Sequence, residues 1–112
     1  MLYVDKNNNI RLTRGDTAKF VVSVQNESIK EPYNILSSDT LTMTIKDSIR
    51  DGKPCVQKTI TGSNAFHILP SDTSSLNFGK YIYDIQLTTK EGDVYTVVAP
   101  STFELMEEVT YQ

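Results

Sequence analysis

Polar and apolar residues alternate without a break through Thr40-Leu41-Thr42-Met43-Thr44-Ile45-Lys46. A period of two suits a strand and not a helix, because successive side chains on a strand point to opposite faces. Leu41, Met43 and Ile45 then share one face and the threonines the other, the pattern of a strand with one buried and one wetted side. The same rhythm returns in Tyr81, Tyr83, Ile85 and Leu87. Another apolar run begins after Lys90-Glu91-Gly92-Asp93, where glycine can supply the positive φ of a tight hairpin.

Once that period is applied along the chain, most of it reads as β. Ile10 and Leu12 alternate with polar neighbours, Gly15-Asp16 turns the chain, and Phe20, Val22 and Val24 carry the next apolar face. Val56 to Thr61 and Ala65 to Ile68 are shorter strand candidates separated by Gly62-Ser63-Asn64, a spacing that predicts a hairpin. Pro70 cannot donate a ladder hydrogen bond, and Ser71 or Asp72 could cap one short helical turn near 71–76. A last strand covers Thr102 to Glu107, with Pro100 marking a bend or bulge before it. Asn26 to Asp39 is the least patterned stretch and reads as a loop crossing between sheets. About seven strands punctuated by turns predict an all-β fold, an antiparallel β-sandwich.

With 112 residues, one domain spanning 1–112 is expected. Eleven basic residues against 14 acidic ones give a formal charge of -3, with the cations scattered singly. Nucleic-acid binding needs concentrated positive charge, so none is expected. Cys55 is the single cysteine, so stability must come from packing and not from an intramolecular disulfide. No basic segment leads into an apolar run at the N-terminus, and no run approaches a bilayer's thickness, so neither an export signal nor membrane insertion is expected.

Catalytic chemistry finds little footing. His67, the single histidine, lies between Phe66 and Ile68 in a strand candidate, and no glycine-flanked serine elbow accompanies it. Cys55 has no Cys-x-x-Cys partner. Asp72, Asp84, Glu91, Asp93, Glu104, Glu107 and Glu108 lack the spacing of a calcium loop and read as solvated faces. Gly15 and Gly79 stand alone, without a phosphate-binding loop. The expectation is therefore no catalytic residue, no metal and no cofactor. Surface tyrosines remain as candidate anchors for a partner, and Tyr3, Tyr33, Tyr95 and Tyr111 are the four that the pattern leaves outside the core.

Asp72-x-x-x-Leu76-x-x-Gly79-x-Tyr81-x-Tyr83 has the form of the corner before the sixth strand of an immunoglobulin-like sandwich. There, a tyrosine turns its hydroxyl back to the preceding backbone and a second buried residue follows two positions later. Tyr81 is the corner tyrosine in this reading, and Tyr83 stands where disulfide-bonded members carry cysteine. Taken with "IRLTRGDTAKF", "DTLTMTIK", "GDVYTVV" and "TFELMEEVT", the succession resembles the N-terminal immunoglobulin-like domain of upper baseplate proteins and related prophage tail proteins from viruses of Gram-positive bacteria. The resemblance covers nearly the whole chain and is most distinctive in Arg14-Gly15-Asp16-Thr17 and in the block from Asp72 to Leu87. It implies a non-enzymatic building block that docks with other tail or baseplate proteins, can form a homo-oligomer, and resides in the virion, or in the bacterial cytoplasm before assembly. Those larger proteins continue into a linker and a receptor-facing region, so both a stand-alone adaptor and a domain of something longer fit. Arg14-Gly15-Asp16 itself reads as turn chemistry between strands. A module binding cell-surface carbohydrate or protein through its tyrosines is the alternative.

Overall fold

The computed structural model describes residues 2–26, 31–48 and 53–107. It is all-β apart from one helical turn. The strands in chain order are β1 (Leu2–Val4), β2 (Ile10–Thr13), β3 (Ala18–Val21), β4 (Gln25–Asn26), β5 (Glu31–Pro32), β6 (Thr40–Lys46), β7 (Val56–Thr61), β8 (Ala65–Ile68), β9 (Gly79–Thr88) and β10 (Val94–Met106), with α1 (Pro70–Thr73) before β9. Six of them form one sheet in the order β1-β2-β10-β9-β6-β7, while β3 pairs with β8 and β4 with β5.

Alternation decides which face of the large sheet is buried. Met43 of β6 lies across from Ile85 of β9, and Leu41 across from Leu87. All four are buried, together with Ile10 and Leu12 of β2 and Phe103 and Leu105 of β10. Ala18, Val22, Phe66 and Ile68 come from the β3–β8 side and close the same core, where the rings of Phe20 and Phe66 stack with centroids 5.7 Å apart. On β6 the outward face is polar, carried by Thr40, Thr42 and Thr44. Gly92, at φ +92°, turns β9 into β10, with the Gly92 N–H donating to the Thr89 carbonyl oxygen at 3.0 Å.

Several elements depart from the sequence reading. The strand segments number ten among the described residues and not about seven, since Leu2–Val4 and the short β4–β5 pair add to those expected. The large sheet is mixed rather than purely antiparallel, because β2 runs parallel to β10, with Ile10 across from Phe103. The helical turn spans Pro70–Thr73 and not 71–76; the capping carboxylate works from inside the turn, Asp72 Oδ2 accepting the Leu69 N–H at 2.7 Å.

The hairpin expected at Gly62-Ser63-Asn64 does not form. β7 pairs with β6 and β8 with β3, so the turn carries the chain from one sheet to the other. Asn64 fixes that crossing by bonding to Val22 twice, through its carbonyl oxygen to the Val22 N–H at 2.8 Å and through Nδ2 to the Val22 carbonyl at 2.9 Å. The two final segments are one strand, β10, and Pro100 sits in a register shift between Val98 and Ser101, where its missing N–H is tolerated.

Candidate functional site

The corner is built from two parts of the chain that are far apart in sequence. Gly79, at φ +137° and with open space where a Cβ would stand, lets the backbone leave α1 and enter β9. Two residues on, Tyr81 turns its hydroxyl back to donate to the Asn77 carbonyl oxygen at 2.8 Å. Its pKa lies above the ordinary tyrosine value, chiefly because burial disfavours the phenolate, with the charge of Asp47 adding to the effect. From the other side comes the turn after β2. The Gly15 N–H donates to Thr73 Oγ1 at 3.2 Å, and Thr73 is fully buried. The Arg14 guanidinium donates to the Leu76 carbonyl at 3.1 Å and lies over the Phe78 ring, 4.2 Å from its centroid. Arg14 is thus committed to the corner, and the Arg14-Gly15-Asp16 tripeptide is turn chemistry here. Leu76 packs partly buried against the core.

Tyr83 is buried beside Phe103, edge to face at 6.3 Å. Its hydroxyl donates to the carbonyl oxygen of Asn8, 75 positions earlier. Burial pushes its pKa up to about 12, with the nearby Asp5 carboxylate adding to the shift. The acceptor is held by a tight loop in which Asp5 Oδ1 accepts the N–H groups of Asn7 at 2.8 Å and Asn9 at 2.9 Å. Those backbone donors, Asn9 foremost, keep the Asp5 carboxyl below its ordinary pKa. Asn8 itself adopts φ +67°, a conformation asparagine tolerates better than most residues.

The three candidate tyrosines among the described residues do not form one patch. Tyr3 is 58% exposed on edge strand β1, and Tyr95 is 55% exposed at the start of β10. Tyr33 is half-buried, donating its hydroxyl to Asp39 Oδ2 at 2.6 Å. That bond, ahead of burial, raises its pKa, and because Asp39 precedes Thr40, which lies across from Thr88, itself across from Val94, Tyr33 and Tyr95 share one end of the molecule. Asp39 is almost fully buried and also accepts the Leu36 N–H at 2.9 Å. Leu36 and Val94 are exposed apolar side chains that the pattern did not single out. Tyr111 and Glu108 lie outside the described residues.

A cleft of about 350 Å³ lies over the outward face of the large sheet, lined by Thr44, Lys46, Gln57 and Asp84 among others. A second, of about 250 Å³ and mostly apolar, is lined by Val4, Phe20, Val21 and Val97 among others. Neither contains His67, which is exposed on β8 across from Lys19. Cys55 is half-buried. Among the described residues, no three or more His, Cys, Asp and Glu side chains are grouped to hold a metal, and no helix is long and apolar enough to cross a membrane.

A largely buried ionic contact escaped the pattern reading. Lys58 Nζ lies 2.7 Å from Asp72 Oδ2, with side chains 25% and 19% exposed. The signal was legible in Val56-x-Lys58-x-Ile60, a charge in phase with two apolar residues.

Compared with protein-family models, with curated proteins and with solved structures, the chain matches none.

Proposed function

We propose that this chain is an immunoglobulin-like sandwich serving as a non-enzymatic structural module of a phage or prophage tail or baseplate, where it mediates protein–protein assembly. The observation that carries the reading is the meeting of its two most distinctive sequence blocks. Arg14 and Gly15 bond to Leu76 and Thr73, so the blocks that carry the resemblance form one packed corner. Two further features favour the immunoglobulin-like topology: the tyrosine bonded to the backbone four residues upstream, and β2 running parallel beside the β9–β10 pair. As a tail component the protein belongs in the virion, or in the host cytoplasm before assembly, with other tail proteins as partners.

The test is affinity capture of the full chain with the proteins encoded beside it, followed by light scattering of the mixture. A stoichiometric complex with at least one tail protein is expected. A chain that captures none of them overturns the reading.

A cell-surface binding module is a second reading, supported by Tyr95 standing exposed at the same end as Tyr33. Glycan-array binding abolished by Tyr95→Ala, without loss of fold, would favour it over assembly.

A further inference from the structure

We infer that the free edge of β7 is a latent docking surface for a second copy of this chain, and that Lys58, held by Asp72, keeps it closed. β7 ends the six-stranded sheet, and among the described residues no strand lies on its far side. Its ladder with β6 runs through six consecutive pairs with no register shift, and Val56–Thr61 contains no proline. A long straight edge of this kind presents unpaired N–H and C=O groups and can template another strand. The other exposed stretches of the same sheet are blunter. β1 has three residues, and β10, where β2 no longer covers it, carries two register shifts and Pro100.

The chemistry of β7 selects the occupant. Val56 and Ile60 pack against the core, and Lys58 occupies the same face, across from the fully buried Met43. Two copies pairing edge to edge, antiparallel about a twofold axis, must match inward residues with inward ones, because directly opposed residues share a face. The register that uses all three inward positions sets Val56 opposite Ile60 of the second copy and Lys58 opposite its own counterpart. Two apolar pairs favour the match and one pair of like charges opposes it. An inward charge on an edge strand is a known safeguard against such pairing. Asp72 holds the ammonium at the edge at 2.7 Å. This inference does not rest on the tail-module reading.

Lys58→Val removes the charge and keeps a β-branched side chain. Light scattering from micromolar to submillimolar protein is expected to show the variant at twice the wild-type mass, while Lys58→Arg and the outward Thr59→Val remain at the wild-type mass. Lys58→Cys in a Cys55→Ser background is expected to form an intermolecular disulfide on oxidation, since directly opposed strand residues fall within the Cα separation a disulfide spans. Lys58→Val with Asp72→Asn serves if the single variant does not fold. A folded apolar variant that keeps the wild-type mass across the range overturns the inference, as does self-association without cross-linking at position 58.

Discussion

The two faces of β6 carry the same backbone and the same ladder but very different side-chain environments. Leu41, Met43 and Ile45 are fully buried. Thr40, Thr42 and Thr44 look outward and meet polar side chains across the ladder: Thr61 at 3.5 Å, Thr59 at 3.3 Å and Gln57 at 3.1 Å. The inward face removes apolar surface from water and is close-packed, so a lost methylene leaves a gap that neighbours fill only in part. The outward hydroxyls exchange one set of hydrogen bonds for another with water, and their net contribution is small. The alternation is therefore asymmetric in energy although symmetric in geometry.

Breaking the inward side should have the largest effect. Met43→Ala is expected to destabilise by about 2–5 kcal/mol, read as a shift of the denaturant midpoint at constant m-value; tolerance without a shift would mean that this face is not the core. Alkaline pH probes the same face through Tyr83. Below about pH 10 both folded and unfolded chains keep the phenolic proton and the full stability is present. As pH rises from there toward about 12, the unfolded chain releases the proton while the folded one holds it, so stability falls. Tyr33 and Tyr81, whose pKa values are also raised, act in the same direction. Urea midpoints at about pH 9 and about pH 11 should differ accordingly, and Tyr83→Phe should shrink the difference.

Smaller effects sharpen the contrast. Tyr81→Phe removes one hydrogen bond to the Asn77 carbonyl while keeping the ring, and should cost about 1 kcal/mol in thermal or chemical unfolding. Thr42→Ala, on the outward face, should lie within about 0.5 kcal/mol of wild type. If Thr42→Ala proved as costly as Met43→Ala, the wetted face would be an interface in the state measured.

Local pattern read some elements well and failed at others for a physical reason. Leu41, Met43, Ile45, Tyr81, Tyr83, Ile85 and Leu87 are all buried, as the period of two required, and Gly92 has its positive φ at the β9–β10 turn. The turn at Gly62-Ser63-Asn64 was visible, but not whether it returned the chain to its neighbour or carried it across. A hairpin and a crossing need the same turn residues, and Asn64's two bonds to Val22, 42 positions earlier, chose the crossing. Lys58 could have been noticed as a charge in an apolar phase; its partner could not, because Asp72 reaches it from α1. Among the tyrosines, sequence could not separate the half-buried Tyr33, bonded to Asp39, from the exposed Tyr3 and Tyr95.

From its residues alone this chain determined that it is β, which side of β6 and β9 turns inward, and where it must turn. Those properties follow from the geometry of single residues and their immediate neighbours. Only the tertiary structure decided that β2 lies parallel to β10, that β7 is left as an edge, that Arg14 closes the corner and that Tyr83 bonds to Asn8. Every strand offers the same N–H and C=O groups, so pairing is selected by packing and chain closure across the whole fold rather than by anything written within one strand.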